Sequence, residues 1–120
     1  MEGNFNEVFQ IRTKKFAVDI IRFYVEHCKK NDELRIIGKQ LFRSGTSVAA
    51  NFRAYIRGRS EAERYAKMCI VVEEIDETLF WFELLEDSDL IQKEITSKLK
   101  NESFELLKIF SSMRSKMKNK

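Results

Sequence analysis

The arginines of this chain have the spacing that could most readily do chemistry. Arg53, Arg57, Arg59 and Arg64 flank Gly58, with Tyr55 and Tyr65 among them. A guanidinium forks onto phosphate oxygens and an aromatic face accepts a stacked base, so this mixture is a candidate nucleic-acid contact. Arg43 stands two heptads before Arg57 and shares its face if one helix spans both. Basicity alone carries little specificity, and the same corner could pair with acidic residues of the chain itself. The carboxylates Glu73, Glu74, Asp76, Glu77, Glu83, Glu86 and Asp87 form the second cluster. Bundle metal sites use inward Glu-x-x-His pairs. Glu77 stands where that histidine would be, and no second such motif occurs. The cluster therefore reads as a solvated acidic face or a partner for the arginines, with no metal and no cofactor expected. His27 is the one histidine and borders the apolar face of the first helical stretch. No Ser/His/Asp or Cys/His order is recognisable, so the chain reads as a non-enzyme.

The elements that must position these residues are helices. The 120 residues include no proline and four glycines, which disfavours a sandwich or barrel with its frequent turns. A first helix is expected from about residue 8 to about residue 30, with Phe16, Ala17, Ile20, Ile21, Tyr24 and Cys28 in one stripe. A second starts at Asp32 as N-cap and carries the seam Leu34, Ile37, Leu41, Gly45, Val48, Phe52 and Tyr55. Gly45 in that seam implies close approach of a neighbouring helix. Ser44, Thr46 and Ser47 can turn their hydroxyls to the backbone, whereas Ser47 and Asn51 are expected to bond between helices. No phosphate-loop pattern surrounds them.

Ser60, Glu61, Ala62 and Glu63 form a capping box that opens a third helix, running to about Glu86. It is apolar on two faces. The second face, Ile70, Val71, Thr78, Trp81 and Leu85, requires a wider core or another subunit, with Trp81 as interface anchor. A fourth helix is expected from Asp89 or Leu90, and the basic tail from about residue 114 to 120 is expected to fray. The short connections predict a single all-α domain over residues 1–120: an antiparallel, up-down-up-down, left-handed four-helix bundle.

The net charge of +3 conceals strong segregation. Residues 35–67 hold eight basic and two acidic side chains, 68–97 hold one and nine, and 98–120 hold seven and two. Cys28 and Cys69 have no metal-type spacing and read as reduced core thiols. No apolar run is long enough to span a membrane, and the start has no secretory pattern, so a cytoplasmic location is expected.

Two blocks carry a resemblance. One runs from Arg43 through Ser44, Gly45, Thr46, Ser47, Val48, Ala49, Ala50 and Asn51 to Ala54, followed by Arg57, Gly58, Arg59 and Ser60. The other runs from Val72 to Leu85 and includes Phe80, Trp81, Phe82, Glu83 and Leu84. Together they resemble the small four-helix-bundle proteins encoded in intervening sequences of bacterial large-subunit ribosomal RNA genes. The family is sometimes labelled ribosomal and is similar to the accessory variability determinant of diversity-generating retroelements. The resemblance covers roughly residues 10–115. Many members carry a glutamate near the position of Ala54, so no role transfers to that site. The resemblance implies a ring-like homopentamer without catalytic activity. In the retroelement relatives it implies binding of nucleic acid and of a reverse transcriptase. The expectation is a non-catalytic, nucleic-acid-binding adaptor using Arg43, Arg53, Arg57, Arg59 and Arg64; the alternative is a protein-only interaction module.

Overall fold

In a computed structural model of the protein, which describes residues 2–118, four helices follow one another: α1 (Glu2–His27), α2 (Asp32–Ile56), α3 (Glu61–Asp87) and α4 (Lys93–Lys118). No strand occurs among the described residues. The bundle is a rod, 46 × 21 × 20 Å. All four helices contribute to one apolar core centred on Phe16, Ile20, Leu41, Phe52, Ile75 and Phe110.

Three helix starts differ from the sequence expectation. α1 begins well before residue 8, because Phe5 and Phe9 stack at 4.6 Å and meet Phe52 and Phe110. Those partners are distant in sequence, so periodicity within α1 could not reveal them. The N-cap of α2 is Asn31 rather than Asp32: its side chain accepts the Leu34 N–H at 2.9 Å. Asp32 instead lies in the first turn and pairs with Arg35 at 2.5 Å. α4 begins at Lys93, not at residue 89 or 90. The chain first turns at Asp89, whose φ of 58° is left-handed, while the Leu90 N–H reaches back to Leu85 O at 3.2 Å. The basic tail is helical through Lys118, with Met113 and Met117 packed on the core. The rest of the expected frayed segment, residues 119 and 120, lies outside the described residues.

The helices register through small residues. A Cβ on Gly45 would stand 2.9 Å from Ile20 Cγ1, and one on Gly38 would stand 2.6 Å from Cys28 Cβ. The neighbour expected at Gly45 is therefore α1. On the far side of α2, Ser44 and Thr78 are fully buried, and the Thr78 hydroxyl hydrogen-bonds the Ser44 hydroxyl at 2.8 Å. This is a buried polar contact between helices, the role expected of Asn51 and Ser47. The Asn51 amide instead donates to Ser47 O within its own helix, at 2.9 Å.

α3 and α4 share a buried charge. Glu86 accepts from the Thr96 hydroxyl at 2.5 Å and from Lys100 Nζ at 2.8 Å. Burial works to raise the Glu86 pKa, but the Lys100 and Thr96 hydrogen bonds outweigh it and hold the carboxyl below its ordinary value.

Two outcomes follow. Gly38→Ala gains about 1 kcal/mol of helix propensity, yet crowding against Cys28 costs about 1–3 kcal/mol. A urea-unfolding midpoint below wild type is expected; an unchanged or higher one would contradict the close approach. For Glu86 the folded pKa lies below the unfolded one, so its stabilisation is present above the ordinary carboxylate value of 4.5 and is lost as pH falls through the folded pKa. Lys100 is one-third exposed, so the contribution is about 1–2 kcal/mol. Glu86→Gln should be less stable at pH 7 and converge on wild type only as pH falls through the lowered folded pKa; parallel pH–stability curves would refute the assignment.

Candidate nucleic-acid interface

The α2–α3 corner is built from local hydrogen bonds. The Arg57 N–H bonds Arg53 O at 3.1 Å and the Gly58 N–H bonds Tyr55 O at 3.2 Å, closing α2. Ser60 then caps α3, its Oγ accepting the Glu63 N–H at 3.1 Å. The Glu63 carboxylate returns to the Arg59 N–H at 3.4 Å, one residue outside the capping-box position. The corner is tight: a Cβ on Gly58 would lie 2.4 Å from Arg64 Cγ.

The five expected arginines have three different environments. Arg53, Arg57 and Arg59 are exposed and form no ion pair among the described residues. Arg64 is half-buried: its guanidinium carbon lies 4.9 Å from the Tyr55 ring centre, and one nitrogen donates to the Tyr55 hydroxyl at 3.2 Å. Arg64 thus covers a buried tyrosine, whose hydroxyl pKa is raised by burial. Arg43 shares a face with Arg57, but the two stand about 21 Å apart at 1.5 Å per residue. It bridges α2 to α3 by pairing with Glu74 at 3.3 Å and with Glu77. Desolvation works to lower its pKa, but Glu74 and Glu77 together outweigh it and hold it above the usual arginine value, and Arg43 belongs to the α2–α3 contact.

Sequence reasoning missed cations that tertiary structure brings to the same end. Met117 and Lys118 of α4 line a shallow groove with Glu61, Ala62 and Tyr65 of α3. Arg114 is close enough to act electrostatically on Tyr65. The basic segments 35–67 and 98–120 therefore converge at one pole, and their separate charge excesses were the signal. Lys14 joins Arg53 along a second shallow groove between α1 and α2. Glu61, Glu63 and Glu105 are the carboxylates nearest this pole by position in α3 and α4.

The expected oligomer face divides. Val71, Thr78 and Leu85 have no exposed surface and belong to the protomer's own core, so they cannot meet another subunit. The wider core accounts for them, because α3 packs against α2 on one side and α4 on the other. Ile70 and Trp81 stay half-buried. Trp81 Nε1 donates to Glu77 at 3.2 Å, and its ring lies edge-on to exposed Phe80.

His27 is half-buried against Phe23, with Glu26 3.7 Å away. Cys28 is fully buried, which pushes its thiol up to about 11. Cys69 is only half-buried, not a core residue as expected. Among the described residues, no three His, Cys, Asp or Glu side chains are grouped to hold a metal ion. No helix is long and apolar enough to cross a membrane.

Four helices around one core, with a basic pole at the α2–α3 corner, define a small all-α bundle. The chain belongs to the 23S rRNA-intervening sequence protein family, whose model matches residues 6–112. It is also similar to a crystal structure of a protein of unknown function from the S23 ribosomal protein family of Bacteroides thetaiotaomicron. The two share 32% identity over 92% of this chain and 97% of that one, with a TM-score of 0.80. No curated protein matches the chain.

The three arginine environments are separable by stability. Arg64→Met keeps the aliphatic stem but removes the ring and hydroxyl contacts, at an expected cost of about 0.5–2 kcal/mol. Arg57→Ala and Arg59→Ala should each stay within about 0.5 kcal/mol of wild type. Equal thermal melts for all three variants would contradict this division.

Proposed function

We propose that the protein is a non-catalytic, homo-oligomeric adaptor, a pentamer acting in the cytoplasm, that binds nucleic acid through its basic pole. The observation carrying this reading is the exposed trio Arg53, Arg57 and Arg59, which forms no ion pair among the described residues. α4 adds Arg114, Lys116 and Lys118 at the same end. A single pole of this kind binds phosphate weakly and without sequence preference. Several copies on one oligomer make the later contacts intramolecular and raise the overall affinity. Support for a non-catalytic role comes from His27, which packs at a tilt against Phe23, and from the buried, protonated Cys28 thiol.

The alternative is a protein-only module, with a reverse transcriptase as one possible class of partner. It is favoured by Arg43, which shows that some of the basic charge serves the fold.

The test is a titration of structured RNA and of mixed-sequence DNA at several salt concentrations. Binding is expected near 50 mM salt and should weaken at least tenfold by about 200 mM. The Arg57→Ala/Arg59→Ala double variant should bind more weakly and show a shallower salt slope. No binding at low salt, or a double variant equal to wild type, would overturn the nucleic-acid reading. Mass in solution tests the oligomer: five copies of a 14.3 kDa protomer are expected, and a monomer at micromolar concentration would refute it.

A further inference from the structure

A shallow groove between α1 and α2 is lined by cations and by no carboxylate. Gln10, Ile11 and Lys14 line it from α1, and Ala49, Ala50 and Arg53 from α2. Lys14 and Arg53 are exposed, and neither forms an ion pair among the described residues. The groove between α1 and α4 differs. Arg12 and Lys15 line it together with Glu102 and Asp19, and pair with them at 2.7 and 2.8 Å.

The α1–α2 groove is continuous with the basic pole. Arg53 belongs to both, and Arg57 stands one turn further along α2, about 6 Å away along the axis. Lys14 comes from residues 1–34, where six basic and six acidic side chains cancel, so only packing sets it beside Arg53. Ile20 against Gly45 fixes the register, and Tyr24 against Phe42 shows that α1 runs antiparallel to α2. Lys14, six residues before Ile20, therefore reaches the level of Asn51, six residues after Gly45. The three cations Arg57, Arg53 and Lys14 thus follow one another from the pole into the groove.

The lining suits a nucleic-acid backbone. Ala49 and Ala50 contribute only methyl groups, which keeps the floor low. Packed helices stand about 8–10 Å apart, so the trough between them seats one strand rather than a duplex. The Gln10 amide can donate to phosphate or sugar oxygens. Ile11, 72% exposed, offers an apolar surface to a sugar ring. Glu7, one turn before Ile11 on the same face of α1, is the nearest carboxylate along that helix and is not part of the lining.

We infer that one sugar–phosphate strand leaves the pole over Arg57 and Arg53 and continues in the α1–α2 groove, where Lys14 binds a further phosphate. This inference rests on the nucleic-acid part of the proposed function and extends that site onto α1.

Titration of the same structured RNA and mixed-sequence DNA tests it. Lys14→Ala should weaken binding about threefold or more on every sequence and make the salt slope shallower by about one. Ala50→Glu, which sets a carboxylate on the groove floor, should weaken it about tenfold or more. Lys39→Ala removes an equal charge about 21 Å along α2 from Arg53 and should stay within about twofold of wild type. Circular dichroism checks that the variants fold, and Lys14→Ala carries the test alone if Ala50→Glu loses helicity. Lys14→Ala equal to wild type, as it would be if the groove served a protein partner, overturns the path. Lys39→Ala as weak as Lys14→Ala also overturns it, since the charge would then act without a site. Either result leaves the pole intact if Arg57→Ala/Arg59→Ala still weakens binding. No binding by the wild type at low salt overturns both.

Discussion

Two missing side chains set the geometry of this bundle. Gly38 and Gly45 let α1 approach α2 until Cys28 and Ile20 occupy the space a Cβ would need. That contact fixes how far α1 slides along α2. Immediately beside it, the buried Ser44–Thr78 hydrogen bond fixes α3 on the other side of the same helix. Two adjacent residues of α2 thus set the height of both neighbours. The level of the α2–α3 corner, and of the charges on the outer faces, follows from these contacts.

Given that frame, identical residue types take different roles. Arg43 lies midway along α2, beside Glu74 and Glu77, and is used in holding two helices together. Arg64, one turn into α3, covers the Tyr55 ring and closes the corner. Arg53, Arg57 and Arg59 occupy the end of α2 and the turn after it, beyond the reach of the acidic outer stripe of α3. The acidic and basic segments are adjacent in sequence but run along the rod, so only their shared middle can neutralise.

The apolar surplus divides in a related way. α3 is apolar on two faces because it is packed between α2 and α4, and Val71, Thr78 and Leu85 are absorbed by the protomer. α1 meets α4 at few points, chiefly the Arg12–Glu102 ion pair and the Phe9–Phe110 contact. Its outer apolar stripe finds no cover within one copy. The surplus of apolar surface that the sequence suggested for α3 lies on the outside of α1 instead.

The all-helical class, the four helices and the Ser60 cap were legible in the sequence, because periodicity, capping chemistry and lack of proline act over a few residues. The close approach at Gly45 was legible for the same reason: a glycine amid a regular seam marks missing volume. The Asn31 cap, the left-handed turn at Asp89 and the early start of α1 were not, since each depends on which local option tertiary contacts favour. The candidate basic site was only half legible. The sequence supplied the five arginines, but their division into fold-bound and exposed groups depends on carboxylates and rings more than nine residues away or on another helix. The cations of α4 reached the same pole only through packing. By itself the sequence determined where helices form and which stripes are apolar or charged, because those properties belong to neighbouring residues. Only the tertiary structure decided which stripes are buried, which arginines are neutralised and which faces remain exposed, because burial and pairing depend on distances through space.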